Sequence, residues 1–207
     1  MPEERPFNPL DKENLGWSIS DALAAQPQEQ LSALTEFSGA GIYALMYTGP
    51  FNAYEGIAKK GAMGMYRIPI YVGKAIPEGG RKGGFTFDAA EGTKLFNRLS
   101  EHKDSIDQAE NLSSADFYFK YLVTEDIWIP LGESLLIETF SPVWNIVVMG
   151  FGIHHPGGGR ARQKCSMWDT LHPGRSFAQG RPPNVLTASE IEKKVREHLR
   201  AVLARLE

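Results

Sequence analysis

Apolar and polar positions along the chain change period several times, and each change marks an element. Residues 41–48 alternate, with Tyr43, Leu45 and Tyr47 on one face and Ile42, Ala44 and Met46 on the other, which predicts a strand. A second strand is predicted over Tyr66–Gly73, with Pro69 marking an edge or a bulge. Phe117–Val123, rich in aromatics, predicts a third. Helical spacing replaces alternation over Gly92–Asn111, where Leu95, Leu99, His102 and Ile106 form one stripe. It returns over Thr187–Leu206, with Ile191, Val195, Val202 and Leu206 on one face and Thr187 and Glu190 as a capping box. A short helix is expected over Leu131–Phe140, after Pro130 and before Pro142. Trp17–Phe37 reads as helical, with Ser18 or Ser20 as N-cap and a break at Pro27. Trp144–Met149 reads as a strand-like run. Residues 150–183, rich in glycine, proline and polar side chains, read as a long irregular excursion, and loops of that length are usually functional or disordered. Strands, a helix, a strand and a helix between terminal helices make an α+β domain.

Composition narrows the class. At 42% hydrophobic and 23% charged, the 207 residues are ordinary for a globular protein with one sizeable core. No apolar run reaches the ~18 residues that span a bilayer. The polar, acidic start is neither a signal nor a transit peptide, and the single cysteine, Cys165, fits a reducing compartment. A cytoplasmic location is therefore expected, with no membrane partner. The formal net charge of −3 gives no hint of nucleic acid. Its distribution does: residues 150–181 hold Arg160, Arg162, Lys164, Arg175 and Arg181 against one acid, Asp169. A basic stretch on an acidic body suits a polyanion, although charge alone fits a solvated loop equally well.

Five residues are candidates for chemistry. Tyr43 lies mid-strand after Gly41-Ile42, and Tyr71 opens Tyr71-Val72-Gly73, followed at once by Lys74. Arg98 and His102 are one turn apart on a helix and share a face. Glu138 falls at near-helical spacing from Leu131, Leu135 and Pro142, and a carboxylate on an apolar face is costly unless paired or bound to a metal. Each has an ordinary structural explanation when taken singly: packed tyrosines, a surface Arg–His pair, a glutamate meeting an arginine.

Together, Gly41-Ile42-Tyr43, Tyr71-Val72-Gly73, Arg98, Glu138 and Asn145 stand in an order that resembles the GIY-YIG nuclease superfamily. Further segments look like its type II restriction-enzyme branch: Asn97-Arg98 with Glu101-His102, Trp144-Asn145 with Gly150-Phe151-Gly152, and Trp168-Asp169 with His172-Pro173-Gly174-Arg175. Val72 stands where the family name has isoleucine, and the connection between the tyrosines is longer than in minimal members, so that 51–64 reads as an insertion approaching DNA. The resemblance implies a small three-stranded antiparallel sheet with flanking helices. It divides one domain into an N-terminal helical arm (1–37), a catalytic core with insertions (38–149), and a basic DNA-contacting excursion with the C-terminal helix (150–207).

The resemblance also implies phosphodiester hydrolysis of double-stranded DNA at a GC-rich palindrome, CCGCGG in the branch this chain looks most like. One Mg²⁺ per active site is expected on Glu138. Arg98 is expected to bind the charge developing on phosphorus, Tyr43 to accept the attacking water's proton, and Tyr71 to position water or phosphate. A free phenol ionises near ~10, so His102 is assigned to take the Tyr43 proton and Lys74 to lower its pKa. Asn145 is expected to orient Glu138 or the DNA backbone. Arg160, Arg162, Lys164, Arg175, His154 and His155 are the expected DNA contacts, with arginine on guanine as the usual readout. His154, His155, Cys165 and His172 also offer zinc donors, but their spacing fits no standard finger. A palindrome implies a homodimer, and a restriction enzyme implies a companion methyltransferase. The alternatives are a homing or repair nuclease of the same superfamily, and a sequence-specific DNA-binding protein without catalysis.

Overall fold

The structure is a computed structural model that describes residue 8 and residues 10–62, 68–77, 92–153 and 163–205. Strands β1 (Glu29–Gln30), β2 (Gly41–Tyr47), β3 (Tyr71–Ala75) and β4 (Phe117–Val123) form one antiparallel sheet in the order β1-β4-β2-β3. The three expected strands are its body, although the second, expected over residues 66–73, runs instead over Tyr71–Ala75, after Pro69. β1 adds a fourth that pairs Glu29 with Phe119 and Gln30 with Tyr118, and two residues are too few to leave a period in the sequence.

The central strand β2 is buried throughout, so both faces of the sheet are covered. Alternation sends Tyr43, Leu45 and Tyr47 into the larger core. There they meet α3 (Lys94–Asp107) through Leu95, Leu99 and Ile106, and α7 (Ala188–Arg205) through Ile191, Val195, Leu199 and Val202. Ile42, Ala44 and Met46 enter a smaller core with Leu23 of α1 (Lys12–Ala24) and Ile129 and Leu136 of α4 (Ile129–Phe140). The α3 and α7 stripes are the expected ones, except that Leu206 lies outside the described residues. The Thr187 box is also formed: the amide of Glu190 donates to Thr187 Oγ1, and that of Thr187 to Glu190 Oε2.

Several elements differ from expectation. α1 begins at Lys12 after Asp11, so Ser18 and Ser20 are interior. Its contact face includes Gly16, against Leu135 and Thr139 of α4, and a glycine contact leaves no apolar mark. The connection after β2 contains α2 (Glu55–Ala62). Trp144–Met149 is not a strand; α5 (Val143–Ile146) starts after Pro142, and the amide of Trp144 donates to Ile70 O. Beyond it, α6 (Met167–Leu171) and a 3₁₀ turn at Ser176–Ala178 give local order to the stretch expected to be irregular. No helix among the described residues is long and apolar enough to cross a membrane.

Candidate active site

Tyr43 and Gly73 are cross-strand partners on β2 and β3. The phenol of Tyr43 lies over Gly73, where a Cβ would stand 2.4 Å from its hydroxyl. Glycine is required there because the ring occupies the side-chain space. The buried Tyr43 hydroxyl reaches α3 and lies 2.6 Å from His102 Nε2. Tyr71 shares that face of the sheet and packs its ring edge-on to His102, with centroids 5.1 Å apart. Arg98, one turn before His102, donates from Nη1 to Glu101 Oε2 at 2.8 Å and from Nη2 to Gly152 O at 2.9 Å. Four of the five candidates therefore converge: Tyr43, Tyr71, Arg98 and His102.

Glu138 does not join them. Ile129, Gly132, Leu135 and Leu136 form the buried stripe of α4, and Glu138 points outward on the opposite side. Its side chain is 61% exposed and pairs with Lys12 at 2.5 Å. The carboxylate at the site is Glu133, on the flank of that stripe, 19% exposed and 2.5 Å from Lys74 Nζ. Its negative charge raises the pKa of both Tyr43 and Tyr71. The sequence reading took Leu131 as a full member of the apolar face, but Leu131 is only half-buried, and that shift of register made Glu138 look internal. The signal that could have found Glu133 is its place one residue after Gly132 of the buried stripe.

The electrostatics revise the expected part of Lys74. Burial pushes the Tyr43 phenol well above its ordinary value, Tyr71 adds to this, and Arg98 is the cation that opposes it. Burial likewise raises Tyr71, again opposed by Arg98. Burial disfavours the charge on Arg98, but Tyr43 and Glu101 outweigh it and hold the guanidinium protonated. Lys74 is turned to Glu133 across the β3 edge, so it serves the carboxylate rather than the phenol.

Asn145 also has a different task. Its Oδ1 accepts from the amide of Val72 and its Nδ2 donates to the carbonyl of Val72, both at 2.8 Å. The half-buried side chain therefore bonds the free edge of β3 in place of another strand. Among the proposed DNA contacts, Lys164 is exposed, whereas Arg175 is 1% exposed and paired with Asp169 at 2.7 Å. Arg175 is internal and cannot read DNA. His154, His155, Arg160 and Arg162 lie outside the described residues. Both ring nitrogens of His172 are engaged, Nε2 with Tyr54 at 2.7 Å and Nδ1 with Asn111 at 2.9 Å, which leaves none for zinc.

Among the described residues no three His, Cys, Asp or Glu side chains gather into a metal cage. One carboxylate beside two phenols is still a fitting donor set for a hard divalent cation, which prefers oxygen and keeps most of its waters. Glu133 is the residue that would hold it. The sequence missed Gly152 and Phe151 as site residues: Gly152 O receives Arg98, and the Phe151 ring stacks on His102 with centroids 4.4 Å apart and planes 17° apart.

Comparison with curated proteins gave no match. The family described as the Eco29kI GIY-YIG domain matches residues 35–199, which takes in β2, β3 and β4 and every residue that meets at Tyr43. With this span, and with the two tyrosines, arginine and histidine brought together on β2, β3 and α3, the chain belongs to the Eco29kI family of GIY-YIG restriction endonucleases.

Proposed function

We propose that the protein hydrolyses double-stranded DNA at a GC-rich palindrome, CCGCGG, as a Mg²⁺-dependent homodimer. The observation that carries the chemistry is the 2.6 Å contact between Tyr43 and His102, beside Arg98 and Glu133. Hydrolysis forms a bond from water oxygen to phosphorus and breaks the bond from phosphorus to the 3′-oxygen. The attacking water gives its proton to the Tyr43 hydroxyl while that hydroxyl gives its own to His102 Nε2. A relay suits a phenol whose ionisation is strongly suppressed by burial, because no free phenolate has to accumulate. Arg98 holds the non-bridging oxygens with a charge that does not titrate. Tyr71 orients water or phosphate through its hydroxyl. Glu133 holds the divalent ion, and Lys74 fixes the carboxylate. When bound, the ion supplies Lewis-acid stabilisation of the phosphoryl and leaving oxygens.

Two such sites related by a two-fold axis match the symmetry of a palindrome. The exposed Lys164 and the basic residues beside it are proposed to meet the duplex. A companion methyltransferase acting on the same sequence follows from the restriction role.

The test compares a plasmid with one CCGCGG site and a plasmid with none, in Mg²⁺ and in EDTA, using wild type, Glu133→Gln and Glu138→Gln. Wild type and Glu138→Gln should cut the first plasmid alone and only with Mg²⁺, while Glu133→Gln loses about 10³-fold in rate. Site-specific binding without cutting by wild type would instead establish a DNA-binding protein. Full activity in Glu133→Gln would remove that residue from the site.

A further inference from the structure

The buried Arg175 has no part in the chemistry above, yet its hydrogen bonds lead to the site. Its Nε donates to Asp169 Oδ1 at 2.7 Å. Its Nη1 donates to the carbonyls of Phe151 at 3.1 Å and Ile153 at 3.0 Å, and its Nη2 to that of Gly150 at 3.0 Å. The guanidinium also lies over Trp168 and Phe177, 4.3 and 4.6 Å from the ring centroids. Asp169 is held in turn by the Ser166 hydroxyl at 2.6 Å.

The carbonyls of residues 150, 151 and 153 thus face Arg175, while the carbonyl between them, Gly152 O, faces Arg98. One four-residue turn is gripped by a buried arginine on one side and supports the site arginine on the other. The same turn carries the Phe151 ring that stacks on His102. It also brings the Gly152 backbone against Tyr71, where a Cβ would stand 2.9 Å from the Tyr71 hydroxyl and 3.5 Å from Arg98 Nη2. Three groups of the proposed chemistry, Arg98, His102 and Tyr71, thus meet this turn.

We propose that Arg175 is a positioning residue of the nuclease site, acting through residues 150–153 to fix Arg98, His102 and Tyr71; the proposal rests on the functional reading above. Stability alone is a poor reason for this arrangement, since a buried ion pair is often replaceable by apolar side chains without loss. Lysine cannot substitute: a point charge neither spans three carbonyls and a carboxylate nor stacks between two rings. A displacement of about 1 Å at reacting groups costs on the order of 10²-fold in rate, and the turn is the contact through which such a displacement would reach Arg98.

The test uses wild type, Arg175→Lys and Gly152→Ala, with single-turnover cleavage, DNA affinity measured in Ca²⁺, and the ¹⁵N resonance of the Arg98 guanidinium in the free protein. Gly152→Ala leaves the Arg175 cluster intact, so it tests the turn even if Arg175→Lys folds poorly. Both variants should cut about 10- to 100-fold more slowly, with DNA affinity changed less than about threefold and the Arg98 resonance displaced. The double variant should lose less than the product of the two, because both act along one path. A wild-type rate in Gly152→Ala, or a parallel loss of affinity and rate in a folded Arg175→Lys, would overturn the proposal. If wild type itself cuts nothing, the functional reading fails, and the Arg98 resonance still decides the positioning: unmoved in both variants, it refutes it.

Discussion

A buried phenol opposite an imidazole can act in two ways, and pH separates them. Burial raises the Tyr43 pKa well above 10, so a mechanism that needs its phenolate gives a rate still climbing at about pH 9–10. The relay through His102 does not draw on that phenolate, so its rate should not track phenolate formation over about pH 8–10. Single-turnover rates across that range, with Tyr43→Phe as the reference for lost proton transfer, distinguish the two. A slope of one persisting to the alkaline end would reject the relay. Most of this constellation is legible in the sequence, because Tyr43, Tyr71, Arg98 and His102 each sit at a motif position on a regular element. Glu133 is not legible, because the choice between two glutamates on one short helix depends on which side of α4 is buried. Arg175 illustrates the opposite error: net charge marks it as a DNA contact, and only the fold reveals Asp169 and three carbonyls around it.

At the scale of elements, β3 is the edge strand on which Tyr71 and Gly73 stand, and the Asn145 side chain bonds both polar groups of its Val72. Asn145→Ala should leave that amide and carbonyl without their partner, costing about 1–3 kcal/mol. Cleavage should fall with it as the strand carrying Tyr71 loosens. Asn145→Asp keeps the acceptor but sets a carboxylate against the Val72 carbonyl, so it should lose at least as much as alanine. Urea midpoints of the three proteins check this, and an unchanged midpoint in Asn145→Ala would remove the side chain from edge support. The α3 and α7 stripes were readable because long amphipathic periods average over many residues. α5 was not, since a four-residue apolar run has no period, and the hydrogen-bonding role of Asn145 comes from a strand far away in sequence.

For the whole molecule, the larger core hides a histidine that must stay neutral. Burial, and then the nearby Arg175, lower the His172 pKa to about 3. Its neutral ring is held between Tyr54 and Asn111, and Trp144 Nε1 donates to the Tyr54 hydroxyl at 2.8 Å. The unfolded chain binds that proton near the ordinary 6.5, so between pH 6.5 and about 3 the unfolded state holds more protons. Stability is therefore complete above 6.5 and falls as the pH drops through this window, by about 2 kcal/mol at pH 5. Denaturation at pH 7.5 and pH 5 should show that difference in wild type and a smaller one in His172→Gln. Equal differences in the two proteins would assign the acid sensitivity elsewhere.

The placement of Arg175 has a consequence during synthesis. Tyr43, Tyr71, Arg98, His102 and Glu133 all precede the turn at 150–153, and the arginine that grips the turn comes later still. A growing chain can build its sheet, α3 and α4 around those five residues while the support for Arg98 is still inside the ribosome. On the proposed role of Arg175, full positioning of Arg98 is then reached only after residue 175 has been made, later than every residue it positions.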